Sequence, residues 1–248
     1  METNEANPEI GQHFLIDEKV LKKEIEISNI SANDKIIEIG AGKGELTSLL
    51  AENSKFVLAF EVDLSLKKYL DNFKHKNLRI VYDDAMKYDW RTYNKIVSNI
   101  PYFLSGDLML KAIKDDIKDI TLIVGEIFKE KLINQDGKIG FIANLFYDIT
   151  PIMEVDKKSF SPVPRVNSWL VTFHKKQLNK SEKFLIDIIN RKGKIKNSIM
   201  YALVNLGKTK KQSKEIIDSM HLSLPVLEKP TSKLTKELLI KIRDSLNL

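Results

Sequence analysis

The 248 residues contain no cysteine. That rules out disulfide cross-links and thiolate metal sites, and it suits a cytoplasmic chain. Long apolar runs are also missing. The stretch from Ile120 to Val124, interrupted by Thr121, falls far short of the roughly 18–20 residues that cross a bilayer, so no membrane span is expected. The opening residues, Met1-Glu2-Thr3-Asn4-Glu5, are acidic and lack the apolar segment of a signal peptide. The four histidines, His13, His75, His174 and His221, are scattered without metal-ligand spacing, so no metal site is expected. No Ser/His/Asp arrangement points to hydrolysis.

Acid is scarce in one place only. The net charge is +6, but residues 176–248 hold 16 Lys and Arg against 7 Asp and Glu, a net of +9, while the first 175 residues carry −3. A basic last third beside a mildly acidic body suits a polyanion partner for the tail. With 43% apolar residues the chain can build a real core, as one large domain or two modest ones.

Most of the chain alternates short apolar runs with helical patterns. Residues 8–16 read as an irregular lead-in. Asp17 caps a helix over 18–28 with Val20, Leu21 and Ile25 on one face. Strands are expected at 34–39, 56–60, 78–82, 95–98 and 120–124, with helices at 45–52 and 65–74. The β-then-α order is that of a doubly wound α/β sheet, mostly parallel and Rossmann-like. Residues 139–147 are assigned to helix, and 151–155 and 169–173 to two further strands. Between those strands, Ser159-Phe160-Ser161-Pro162-Val163-Pro164-Arg165 reads as a stiff extended loop. Beyond Lys176 only helical patterns remain, at 181–191, 194–206, 210–219 and 234–246. The expected domains are therefore 1–175 and a small all-helical, basic 176–248.

Four strand ends carry chemistry. Gly40-Ala41-Gly42-Lys43-Gly44 follows the first strand with G-x-G-x-G spacing, neither the nicotinamide fingerprint nor a P-loop. With Glu38 before it, the loop suits a nucleoside bearing an amino acid, such as S-adenosylmethionine. Glu61 ends the second strand, where a carboxylate can take both ribose hydroxyls. Asp84 ends the third and can accept from an adenine amine, while Asp83 beside it reads as a solvated acid or a turn former. At the fourth, Ser98-Asn99-Ile100-Pro101-Tyr102-Phe103 stops the sheet, because Pro101 has no N–H and keeps Ile100 out of the helical region. An Asn amide oxygen and the Ile100 carbonyl can together accept two hydrogen bonds from one amino group. An aromatic ring two residues on can stack on a planar base.

With these residues in place, the chain resembles the KsgA/Dim-type ribosomal RNA adenine N6-dimethyltransferases, relatives of the Erm antibiotic-resistance enzymes, and its style resembles archaeal members. The resemblance rests on Gly11-Gln12-His13-Phe14-Leu15, Glu38-Ile39-Gly40-Ala41-Gly42-Lys43-Gly44, Glu61-Val62-Asp63, Asp84-Ala85-Met86, Asn99-Ile100-Pro101-Tyr102 and Phe160-Ser161-Pro162-Val163-Pro164-Arg165-Val166. It implies a class I methyltransferase with a seven-stranded sheet, acting as a monomer on small-subunit ribosomal RNA or a pre-ribosomal particle. It further implies that His13, Leu15, Gly40, Gly42, Glu61, Asp84, Ala85 and Asn99 line the S-adenosylmethionine pocket. Asn99, Ile100 and Pro101 would hold the target amine, and Tyr102 and Phe160 would sandwich the base. Arg165 and the run Arg191, Lys192, Lys194 and Lys196 would face RNA. Departures from the family pattern fall at Asp83, Phe103, Gly106 and Asp107. An Erm-type large-subunit enzyme, a protein-glutamine or DNA-adenine methyltransferase, and a non-catalytic assembly or transcription factor remain the alternatives.

Overall fold

The structure, a computed structural model, describes residues 11–246. Two compact units emerge: residues 1–134 with 147–175, and residues 135–146 with 176–248. Residues 8–10 of the expected lead-in lie outside the described part.

The first unit is built on a seven-stranded sheet. In chain order its elements are β1 (Phe14–Leu15), α1 (Glu18–Ile27), β2 (Lys35–Ile39), α2 (Glu45–Asn53), β3 (Phe56–Phe60), α3 (Lys67–Leu70), β4 (Leu78–Val81), β5 (Lys95–Ser98), α4 (Ser105–Lys114), β6 (Asp119–Gly125) and α5 (Glu126–Ile133). After α6 (Gly137–Phe146), which belongs to the second unit, come β7 (Tyr147–Val155), β8 (Phe160–Ser161) and β9 (Ser168–Lys175). The strand order is β4-β3-β2-β5-β6-β9-β7, parallel through β6, with β9 antiparallel to both its neighbours. The central strands are buried on both faces, Ile36, Ile37, Val57, Ile96 and Val97 being fully enclosed, which is why they read as continuous apolar runs rather than alternating ones. Pro151 is tolerated because β7 is an edge strand, and the register shifts between Pro151 and Met153.

Several elements differ from the sequence reading, among them α4 and α5, which it did not expect. The lead-in holds a strand, β1, paired antiparallel with β8 through Phe14↔Ser161 and Leu15↔Phe160; two residues are too few to show a period. The helix expected over 65–74 is a short 3-10 turn, Leu64–Leu66, followed by one turn of α3. β7 starts at Tyr147, straight out of α6, four residues before the expected strand.

The second unit packs α6 with α7 (Lys180–Asn190), α8 (Ile195–Asn205), α9 (Lys210–Ser219), α10 (Leu224–Leu227) and α11 (Lys236–Asp244). Its core holds Phe184, Leu185, Ile188, Ile199, Leu203 and Leu239. Capping boxes start α7 at Asn179/Glu182 and α9 at Thr209/Gln212, each satisfying two otherwise orphaned N–H groups.

Candidate active site

Strand order reverses between β2 and β5, so the chain departs to opposite sides there and a crevice opens at the C-terminal ends. These two strands pair only at Ile36↔Lys95 and Ile37↔Ile96. Two residues beyond, the Ser98 hydroxyl replaces the ladder, accepting from the Ile39 amide at 3.0 Å and donating to the Ile39 carbonyl at 2.5 Å. The next residues, Gly40 and Asn99, form facing walls of a 560 Å³ cavity.

The cavity brings together His13, Gly40, Gly42, Glu61, Asp84, Ala85, Asn99, Ile100, Pro101, Tyr102 and Phe160. Leu15 is not on it; buried in the core, it lines a small 40 Å³ pocket beside Glu38, Gly42 and Asn99. Gly42 has φ +60, and a Cβ there would meet the Phe14 ring at 3.3 Å, so the loop needs glycine for both backbone and space. At the end of β3, Glu61 is buried and accepts three backbone N–H groups, from Gly42 at 2.9 Å and from Val62 and Asp63 at 2.8 Å. Burial raises its carboxyl above the ordinary range, against the pull of those bonds. Asp84 accepts from the Met86 amide, and Asp83 gathers the Asp84 amide, Lys87 and Tyr88. Asp83 is thus a turn former that also lines the cavity.

At β5 the Asn99 amide nitrogen donates to Glu24 Oε2 at 3.2 Å. Its Oδ1 is buried and has no hydrogen-bond partner. The Ile100 carbonyl accepts no backbone hydrogen bond among the described residues. Two acceptors from adjacent cavity-lining residues are therefore left unclaimed, a poor arrangement unless a donor arrives. Glu24, at the buried face of α1, has its carboxyl pushed up to about 8 by desolvation, opposed by the Asn99 bond. Glu38 is also fully buried and raised well above the usual range, by desolvation first, with Glu24 and Glu61 adding like charge.

The aromatic walls are anchored from outside. Tyr102 shares a 2.5 Å hydrogen bond with the hydroxyl of fully buried Ser168. Its ring lies on Gly125, where a Cβ would approach to 3.2 Å. Burial raises the Tyr102 hydroxyl's pKa, with the Ser168 bond acting against it. His13 stacks on Tyr102 with centroids 6.5 Å apart and donates Nδ1–H to the Pro162 carbonyl at 2.7 Å. Phe160 is held in β8 against β1.

Glu24, Ser98, Gly125 and Ser168 did not figure among the sequence candidates. Only Glu24 carries a readable signal: an acid in register with Val20 and Leu21 on the apolar face of an amphipathic helix.

None of the residues expected to face RNA is among those lining the cavity. Arg165 is exposed in the loop after β8. In the second unit the Arg191 guanidinium lies 4.2 Å over the Tyr201 ring and Lys194 pairs with Glu228 at 2.5 Å. Bonds from Thr231 to the Gly193 and Arg191 carbonyls pin this loop. Lys192 is exposed and Lys196 half-buried. Among the described residues no group of three His, Asp or Glu could hold a metal ion, and no helix is long and apolar enough to cross a membrane.

Comparison with known proteins agrees with this geometry. The family model described as ribosomal RNA adenine dimethylase matches residues 3–230. The chain is similar to the ribosomal RNA small subunit methyltransferase A of Fusobacterium nucleatum, 32% identical across 86% of this chain and 88% of that protein. It is also similar to the probable ribosomal RNA small subunit methyltransferase A of Pyrococcus furiosus, 27% identical across 96% of this chain and 91% of that protein. Among solved structures, a dimethyladenosine transferase from Plasmodium falciparum superposes with a TM-score of 0.64 at 24% identity, covering 93% of this chain and 96% of that one. The 23S rRNA methyltransferase ErmE shares the fold with a TM-score of 0.62 at 18% identity, covering 95% and 100%. With a strand-switch crevice, an Asn-Ile-Pro-Tyr wall and a family match over nearly its whole length, the chain belongs to the ribosomal RNA adenine dimethylase family.

Proposed function

We propose that this protein transfers methyl groups from S-adenosylmethionine to the N6 amine of adenosines in small-subunit ribosomal RNA, twice per base, in the cytoplasm during ribosome biogenesis. The residues present fit that cofactor: a glycine loop where a Cβ at Gly42 or Gly44 would press on the Phe14 or Phe73 ring, a strand-end Glu61, and Asp84 and Ala85 on the neighbouring strand end. When bound, S-adenosylmethionine supplies a methyl group on a sulfonium, an electrophile already activated for transfer.

The chain's own task is to prepare the amine. The N6 lone pair of adenine is delocalised into the ring and is a weak nucleophile. Asn99 Oδ1 and the Ile100 carbonyl accept the two amino hydrogens, which favours a pyramidal nitrogen with a localised lone pair. Pro101 and the end of β5 fix the distance between the two acceptors. Tyr102 and Phe160 offer ring faces to a base removed from its stack; stacking worth roughly 1–3 kcal/mol per base offsets part of the unstacking. Transfer uses that lone pair in the new N–C bond; it is restored when one of the two amino protons leaves, and the monomethylated amine can then take a second methyl group. The basic loop Arg191, Lys192, Lys194 and Lys196, with Arg165, supplies phosphate contacts.

The observation that carries this reading is the buried, unpartnered Asn99 Oδ1 beside the unclaimed Ile100 carbonyl. The test is single-turnover methyl transfer to unmodified small-subunit particles, with mass analysis of the nucleosides. Wild-type protein should yield N6,N6-dimethyladenosine, and Asn99→Ala should be slower by roughly two orders of magnitude with RNA affinity nearly unchanged. An Asn99→Ala protein that transfers at the wild-type rate would refute the mechanism.

A further inference from the structure

We infer that Glu24 is a positioning residue for methyl transfer: its buried side chain takes the Asn99 amide nitrogen and so leaves the amide oxygen as the end free to accept from a substrate amine. The inference rests on the function proposed above.

Glu24 stands out on its own helix. The inward face of α1 is Val20, Leu21 and Glu24, two aliphatic side chains and an acid, and Glu24 is fully buried. No cation pairs with it among the described residues. The buried cation near the end of α1, Lys95, is spent on the Ser28 and Asn29 carbonyls and on Asp34. Glu24 Oε1 has no hydrogen-bond partner. Among the described residues, the one bond the side chain makes is accepted by Oε2 from Asn99 Nδ2–H. A carboxyl in this position is costly to bury, and an aliphatic residue would serve packing better.

The role of that one bond follows from the symmetry of an amide. The oxygen accepts, the nitrogen donates, and the two ends are nearly equal in size. An amine substrate needs the oxygen. With the amide reversed, two N–H groups would face the amine's own N–H groups, and neither pair could bond. Glu24 is absent from the lining of the 560 Å³ cavity, which Asn99 reaches. Accepting from the amide nitrogen, it leaves Oδ1 as the unpartnered end, and it also restrains the Asn99 side chain. Glu38, the other buried acid nearby, does not bond Asn99; its neighbour is Thr47. Orientation of the amide therefore falls to Glu24.

The test compares wild type with Glu24→Met, an unbranched apolar side chain of similar length, Glu24→Leu as a second apolar variant, and Glu24→Gln, which retains an acceptor. Three quantities are measured: single-turnover transfer to unmodified small-subunit particles at saturating S-adenosylmethionine, RNA affinity, and the thermal midpoint. The apolar variants should transfer about tenfold more slowly, since small displacements of a positioning group carry large rate penalties. They should bind RNA within about twofold of wild type and melt at the same temperature or higher, because a buried carboxyl has gone. Glu24→Gln should recover most of the rate. A merely structural Glu24 would instead lower the midpoint and the rate together. Folded Met or Leu variants transferring within about twofold of wild type would overturn the inference; should both fail to fold, so would a Glu24→Gln protein as slow as Asn99→Ala. Wild-type protein that does not methylate adenosine would sink the functional reading itself, a different outcome from an active wild type matched by its variants.

Discussion

The two buried acids beneath the site make stability fall as pH rises through neutrality. Glu24 has an ordinary carboxyl value of 4.5 in the unfolded chain and about 8 in the folded one. Between those values the unfolded chain has released the proton while the folded chain retains it. Stability is therefore complete below about pH 4.5 and is lost at roughly 1.4 kcal/mol per pH unit until about pH 8, where it levels off. Over the whole window this one group removes up to about 5 kcal/mol, comparable to the total stability of a small domain. Glu38 and, at the end of β3, Glu61 act in the same direction, and the repulsion of Glu38 with Glu24 and Glu61 couples the titrations. The depressed carboxyls Asp17, Asp34 and Asp63 act oppositely, but their stabilisation disappears only as pH falls below the ordinary Asp value, outside this window. Urea unfolding at pH 5, 6, 7 and 8 followed by tryptophan fluorescence is a suitable assay, because Trp90 and Trp169 both belong to the first unit. Glu24→Met should flatten the slope relative to wild type and gain most at pH 8. Identical slopes for the two proteins would refute burial as the cause of the Glu24 shift.

The other expectations are more local. Glu61→Ala should weaken S-adenosylmethionine binding by roughly 1.5–3 kcal/mol, since a charged acceptor is lost, and should also loosen the glycine loop that donates Gly42 N–H to it; unchanged affinity by calorimetry would remove Glu61 from the site. Tyr102→Phe should keep much of the methyl-transfer activity because the ring face remains, while losing about 1–3 kcal/mol of stability through the stranded Ser168 hydroxyl; a Phe variant as inactive as Tyr102→Ala would place the role in the hydroxyl. Replacing Arg191, Lys192, Lys194 and Lys196 by Ala should weaken RNA binding and flatten its salt dependence with cofactor affinity unmoved. An unaltered salt slope would exclude these four from phosphate contact.

What could be read from the sequence depended on whether its signal was local. The strands at 56–60 and 95–98 and the helix at 210–219 emerged as expected because continuous apolar runs and cap residues mark them in the chain itself. α4 and α5 carry no such mark: they start after Leu104 and Gly125 with no side-chain cap, and no helix was assigned there. β1 exists only through β8, about 145 residues away. The cavity wall divides in the same way. Gly40, Glu61, Asp84 and Asn99 were legible as strand ends in a row. Ser168 behind Tyr102, Gly125 beneath its ring and Glu24 behind Asn99 meet the site only through tertiary folding.

That division bears on the departures from the family pattern. Asn99, Ile100 and Tyr102 are held from behind, by Ser98 bridging β2 and β5, by Glu24 on α1 and by Ser168 on β9. None of those side-chain supports lies at Phe103, Gly106 or Asp107; within the same stretch, Ser105 donates to the Tyr102 carbonyl. Phe103 is 68% exposed, and with Asp107 it lines the cavity without bonding to any supporting group. Asp83 keeps its own turn through Lys87 and Tyr88. Substitutions at these places therefore change what the rim presents to the nucleotides around a target base. They leave in place the two acceptors proposed to take the amine.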